Sequence, residues 1–271
     1  MLARFVSGVI AAVILIVILL CSPTVIGVCA VLLSVWCLLE AFGVFSYHKN
    51  PAFLLVGLLS CGAAPFLVRW NFSQIAGLLF VMLIFLSAVM VAVPKKVSIT
   101  DVMTVLVLSV MIPVSFSLLA ELRRISDFGS IYIWIPFVGA FLSDIGAFFV
   151  GRAMKGPKLC EALSPKKTIS GSIGGLVGSV VGFFILALIL KFGFRISVNP
   201  VPFYGLALIC SVAGQLGDLT MSALKRHVNV KDFGNVMPGH GGMLDRLDSV
   251  IFVGPTVYIF IVTFGLEIMR Y

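Results

Sequence analysis

Three stretches of this chain hold side chains that could do chemistry together. The first is Gln215–Arg226, where Gln215, Asp218, Ser222 and then Lys225 or Arg226 recur at offsets of three and four. On a helix these offsets draw one polar stripe, with the acid deeper and the bases at the mouth. The second begins at Lys231-Asp232-Phe233-Gly234 and passes through Pro238-Gly239-His240-Gly241-Gly242 to Asp245, Arg246 and Asp248. Its glycines and proline break a helix and make a loop whose backbone N–H groups can come close to an anion. Asp245 and Asp248 lie three apart on one helical face. They form an oxygen pair suited to Mg²⁺, and Asp218 on a neighbouring helix would be a third ligand. The same two acids could instead cap their helix and pair with Arg246 or Lys225.

The third stretch, Ser164-Pro165-Lys166-Lys167-Thr168-Ile169-Ser170-Gly171-Ser172-Ile173-Gly174-Gly175, places two lysines and then hydroxyls ahead of a glycine-rich helix start. Small residues at a helix N-terminus attract phosphate, and lysine adds a point charge. The order of a Walker A loop is absent. Gly174 and Gly175 could equally serve close helix packing. Asp144, like Asp218, falls inside an apolar stretch. An acid at membrane depth is costly unless paired, metal-bound or wet, so both are functional candidates, with a structural pairing to Lys or Arg as the alternative.

The elements that position these groups are membrane helices. Of 271 residues, 61% are hydrophobic and 11% charged, with a mean hydropathy of +1.18; this excludes an ordinary soluble domain. Apolar runs of bilayer length predict nine spans: Phe5–Leu20, Pro23–Ser46, Pro51–Val68, Ser73–Val93, Asp101–Ala120, Ile131–Gly151, Ser172–Leu190, Val201–Met221 and Ser249–Met269. The expected fold is an all-α polytopic membrane protein with a polar cavity on its cytoplasmic side. Residues 1–130 read as scaffold and 131–271 as a catalytic region carrying the motifs 144–175 and 215–248. The first span could be a signal peptide, but no small-residue cleavage site follows it, so a retained helix is expected. Glu40 is the one acid inside an early span. It is either functional or a helix end with access to water.

Of the 19 Lys and Arg residues, 13 fall on the N-terminal face of this topology; Arg69, Arg123, Arg124, Lys191, Arg195 and Arg270 make up the other 6. The bias puts the N-terminus and both chemical segments in the cytoplasm. The net charge of +8 suits anionic lipid head groups, and no nucleic-acid partner is expected. The six cysteines form no CxxC pair and read as small hydrophobes.

The segment Ser222–Asp248, with Ser-Ala-Leu-Lys-Arg, Lys-Asp-Phe-Gly and Met-Pro-Gly-His-Gly-Gly-Met-Leu-Asp-Arg-Leu-Asp, resembles the signature of the phosphatidate cytidylyltransferases, or CDP-diacylglycerol synthases. The Lys166–Lys167 segment and the stretch from Asp144 to Arg152 are also similar to that family. The likeness covers residues 140–250 well, and the first half only as membrane spans. It implies condensation of CTP with phosphatidic acid to CDP-diacylglycerol and pyrophosphate. It implies Mg²⁺, a monovalent cation such as K⁺ beside it, and a homodimer; the cytoplasmic segments and the short chain suggest an inner plasma-membrane location.

On this resemblance Asp218, Asp245 and Asp248 are metal ligands, with Asp144 binding or steadying the metal. Lys166, Lys167, Thr168, Gly241 and Gly242 contact the nucleotide or the lipid phosphate. Lys225, Arg226, Lys231 and Arg246 surround the anionic groups, Asp232 orients Lys231 or Arg226, and His240 donates to phosphate or shapes the loop. Met237 and Thr220 depart mildly from the family pattern and remove no ligand. Two other readings stand beside this one: the same chemistry on another lipid phosphate, and an ion-coupled transporter, which would also place Asp144 and Asp218 in spans.

Overall fold

The computed structural model describes residues 2–67, 72–236, 241–264 and 268–270, so His240 and Met237 lie outside the described residues. Among the described residues ten α-helices and two small two-stranded ribbons follow in order. They are α1 (Leu2–Leu20), α2 (Pro23–Val44), a 3₁₀ turn (Tyr47–Lys49), α3 (Pro51–Leu67), α4 (Phe72–Ala92), α5 (Ile99–Glu121), α6 (Gly129–Tyr132) and α7 (Ile135–Met154). Then come β1 (Lys158–Cys160), β2 (Ser164–Thr168), α8 (Ile169–Phe194), β3 (Ser197–Val198), α9 (Pro200–His227), α10 (Leu244–Phe264) and β4 (Met269–Arg270). In hydrocarbon a segment must satisfy its own backbone groups, and an α-helix does so within itself. Proline opens α2, α3 and α9, where its missing N–H costs nothing.

Each expected span meets an apolar helix. Among the described residues seven helices are long and apolar enough to cross a bilayer, and two more, Ser7–Leu20 and Pro51–Leu67, are apolar but shorter. Large apolar side chains stand outward along them, among them Leu32, Phe80, Phe149, Ile173, Phe184 and Ile259. Water would not solvate such a surface, whereas acyl chains do. The chain is a multi-pass helical membrane protein.

The chain divides into two compact units. One comprises residues 1–120 with the returning segment Asp232–Arg246; the other comprises Glu121–Lys231 with Leu247–Tyr271. In the first, Tyr47 packs edge-on against Phe42 and Phe53, with ring centroids 5.9 and 5.4 Å away. Its hydroxyl donates to Asp101 Oδ1 at 2.9 Å, and burial with that carboxylate beside it pushes the phenol above its usual range. Asp101 also accepts from Ser98 N and Oγ at 2.8 and 2.7 Å, and Ser98 Oγ accepts from Asp101 N at 3.2 Å. This reciprocal cap starts α5.

The second unit is built on α7, α8 and α9. A methyl added at Gly146 would strike the Gly174 carbonyl, and one at Gly178 the Leu142 carbonyl. These glycines let α7 and α8 touch backbone to backbone, the usual way helices associate in lipid. The packing alternative for Gly174 thus holds. Phe183 and Phe203, both fully buried, join α8 to α9 with centroids 4.9 Å apart. The β1–β2 ribbon pairs Lys158 with Thr168 and Cys160 with Ser164. It delivers the two lysines of the Ser164–Gly175 stretch at the start of α8. The sequence pattern showed no such ribbon.

Candidate functional site

Within the second unit a line of small polar side chains fastens the three helices. Ser143 Oγ and Ser211 Oγ are 2.7 Å apart. Gln215 Nε2 donates to Ser211 Oγ and to the Ser172 carbonyl, each at 3.1 Å. Ser172 Oγ donates back to Gln215 Oε1 at 2.5 Å. Gln215, the innermost member of the predicted stripe, is therefore spent on orienting α9 against α8. The next residue along α7 is Asp144, and the next polar turn of α9 brings Asp218, so the network fixes the backbone from which both acids project.

Asp218 Oδ2 lies 2.5 Å from Lys167 Nζ, and its Oδ1 accepts from Ser222 Oγ at 3.4 Å. Lys167 is the last residue but one of β2. Thr168 follows, buried, and its hydroxyl caps α8 by accepting from Gly171 N at 3.0 Å. Its nearest polar duty is thus structural. Lys166 points outward and is exposed. Asp248, on α10, feels the charges of Asp218, Lys225 and Asp144, and its Oδ1 accepts from Ser249 N at 2.8 Å. Gly217 lets α10 approach α9 at this level, because a methyl there would lie 2.9 Å from the Asp248 carbonyl. Lys225 is buried, at 8% exposure, so its charge sits in a setting where electrostatics count more than at the surface. Arg226 is exposed and donates to the Val230 carbonyl at 3.2 Å; Lys231 is exposed.

Three carboxylates and two lysines from four elements thus share one region of this unit. The donor set suits Mg²⁺, which takes one or two carboxylates and completes its shell with water and substrate phosphate. Among the described residues no group of three or more His, Cys, Asp or Glu is gathered as a ready-made cage.

The first unit holds the rest of the motif. Gly241 adopts φ +86°, a conformation glycine takes without strain. Asp245 Oδ2 accepts from Phe233 N at 2.8 Å and from Gly242 N at 3.0 Å, tying these two amides to one carboxylate oxygen. The Gly242 amide, expected to meet a phosphate, is directed to this carboxylate. Asp232 and Arg246 are exposed. Glu40 Oε1 and Oε2 accept from Met243 N and Leu244 N at 3.0 and 2.9 Å. That contact joins residues about two hundred positions apart, and no motif spacing announces it.

Residues 2–264 match the cytidylyltransferase family. A phosphatidate cytidylyltransferase of Bacillus subtilis is 36% identical over 220 residues, covering 78% of this chain and 79% of the relative. Phosphatidate cytidylyltransferases of Staphylococcus haemolyticus and Staphylococcus aureus are 42% and 44% identical over 131 residues; here the match spans about half of either chain (48% and 49%). A match that runs through every helix from α1 to α10, with a relative of this identity along most of its length, leaves one conclusion: the chain belongs to the cytidylyltransferase family.

Proposed function

We propose that this protein transfers the cytidylyl group of CTP to phosphatidic acid, giving CDP-diacylglycerol and pyrophosphate. One observation carries the reading: Lys167 pairs with Asp218, and the charges of Asp218, Lys225 and Asp144 all reach Asp248, in a family member. Such a cluster handles polyphosphate charge and has no evident use in an apolar scaffold. The names of the relatives supply the acceptor, phosphatidate.

The lipid phosphate is an anionic nucleophile at neutral pH and needs no base of its own. One of its oxygens bonds to the α-phosphorus of CTP while the bond from that phosphorus to the bridging oxygen breaks, and pyrophosphate leaves with the bond pair. Lys167 and Lys225 neutralise the phosphates as they crowd together, and Lys166 adds charge at the rim. Asp218 holds the Lys167 ammonium in place before substrate arrives. Mg²⁺, held by Asp218 and Asp248 with Asp144 beside them, would offset charge on the transferring phosphoryl and the leaving group. With Oδ2 of Asp245 committed to two backbone amides, that acid contributes by shaping the loop. The cluster faces the cytoplasm of the inner membrane, where CTP is found.

The test is initial-rate measurement on detergent-purified protein with CTP and each other nucleoside triphosphate, against a panel of lipid phosphates, with and without Mg²⁺. Turnover with CTP and phosphatidic acid, lost on chelation, is expected. A best acceptor other than phosphatidic acid moves the assignment to that lipid. Absence of Mg²⁺-dependent CTP turnover with every acceptor overturns the proposal.

A further inference from the structure

Helix α10 begins at Leu244. The residue before Leu244 is Met243, whose side chain cannot accept the first helical N–H groups as Ser, Thr, Asp or Asn would. The acceptor comes instead from α2. The Glu40 carboxylate takes the Met243 N–H on Oε1 and the Leu244 N–H on Oε2, and Trp36, one turn earlier on α2, donates its indole N–H to Oε1 at 3.2 Å. A negative group at this helix end also meets the positive end of the helix dipole.

Gly234 and Gly242 leave room for the carboxylate. A methyl on Gly234 would lie 2.9 Å from Glu40 Oε1, and a methyl on Gly242 would overlap Oε2. Two glycines of the motif are thus small because Glu40 is there. Asp245, in the first turn of the same helix, holds the other side of the loop through Phe233 N and Gly242 N.

We infer that Glu40 is a positioning residue for cytidylyl transfer, acting from the N-terminal helices by fixing the first turn of α10 with Gly234 and Gly242 packed on its carboxylate. The inference rests on the proposed function. The first turn of α10 bears Asp245, and Asp248 follows one turn on, so a tilt or fraying at Leu244 is carried to both. A shift of about 1 Å in such groups can cost about a hundredfold in rate. The apolar run around Glu40 serves as scaffold, but this one acid reaches into the motif.

Glu40→Gln keeps the size and replaces one acceptor oxygen by an NH₂ that faces backbone N–H groups. In the full-length detergent-purified enzyme we expect kcat to fall at least tenfold, KM for CTP to change less than threefold, and amide exchange at Met243 and Leu244 to quicken. A purely structural role would lower the yield and the melting temperature yet leave kcat per folded molecule unchanged. Trp36→Phe removes only the indole donor and should lower kcat in the same direction by about two- to fivefold; it serves where Glu40→Gln fails to fold. Gly234→Ala should lose as much as Glu40→Ala, and the double variant should be no worse than either single one, since Glu40→Ala removes the two nearest atoms the new methyl would meet and leaves only Gly242 Cα at 3.3 Å. Wild-type turnover with Glu40→Gln folded and within twofold in kcat, or with Trp36→Phe unaltered where Glu40→Gln does not fold, overturns the inference. A wild-type enzyme without CTP turnover refutes the proposed function first and this inference with it.

Discussion

The Lys167–Asp218 ion pair is a poor stabiliser. Its side chains are 26% and 29% exposed, a range in which ion pairs contribute about 0–1 kcal/mol. Its value lies in what it holds ready. Asp218→Asn keeps the shape and the Ser222 contact but removes the charge. It should lower kcat by about 10²–10³, the scale of losing one preorganised charge-stabilising group, with little change in melting temperature. Pyrophosphate release and thermal unfolding on the same preparation check both halves, and near-normal turnover would remove Asp218 from the chemistry. Lys167→Ala should raise the CTP or lipid-phosphate concentration needed for half-maximal rate by about tenfold or more, the cost of a charge-assisted hydrogen bond of about 1.5–3 kcal/mol; unchanged kinetics would return that lysine to the scaffold. The acids of this cluster were legible because charge inside an apolar run is conspicuous. The contact of Asp245 with the Phe233 amide was not, because the two lie twelve residues apart across a loop.

At the scale of elements, the helices were legible and their neighbours were not. A bilayer demands long apolar runs, so each run announces a helix, but no run says which other helix it will face. The β1–β2 ribbon was not legible because its strands are only three and five residues long and the longer one, Ser-Pro-Lys-Lys-Thr, lacks the apolar–polar alternation that marks a strand. The attachment of the segment Asp232–Arg246 to the first unit and the Glu40 cap arise from long-range packing that no local pattern encodes. The glycines of α8 are intermediate: their small size at helical spacing suggested close approach, and the structure names the partner. Gly178→Leu should therefore destabilise by about 1–3 kcal/mol or more, because the side chain enters the Leu142 carbonyl and the Gly146 backbone. Gly193→Ala on the same helix meets nothing within 4 Å and should be neutral or stabilise by up to about 1 kcal/mol. Thermal unfolding of the two variants in one detergent compares them; equal melting temperatures would mean that the α7–α8 seam does not govern stability.

For the whole molecule the decisive quantity is the uneven distribution of basic residues, 13 of 19 on one expected face. Helix α8 gives that bias a ruler. Lys166 and Lys167 stand just before it, and Lys191 and Arg195 stand at its end. Its 26 residues cover roughly 39 Å at about 1.5 Å each, more than the roughly 30 Å of hydrocarbon they must cross. The charges at its two ends should therefore lie on opposite aqueous faces. The motif end should be cytoplasmic, because the 13 residues share its side and cytoplasmic loops retain the excess of Lys and Arg. In a background with all six cysteines replaced, Lys166→Cys should react with a membrane-impermeant maleimide only in inside-out vesicles. Arg195→Cys, at the exposed far end of α8, should react only in intact cells. Labelling of both from one side would mean that α8 does not cross. Labelling in the reverse sense would put the Lys167–Asp218 pair on the face away from cytoplasmic CTP, and the proposed reaction could not then run at this site.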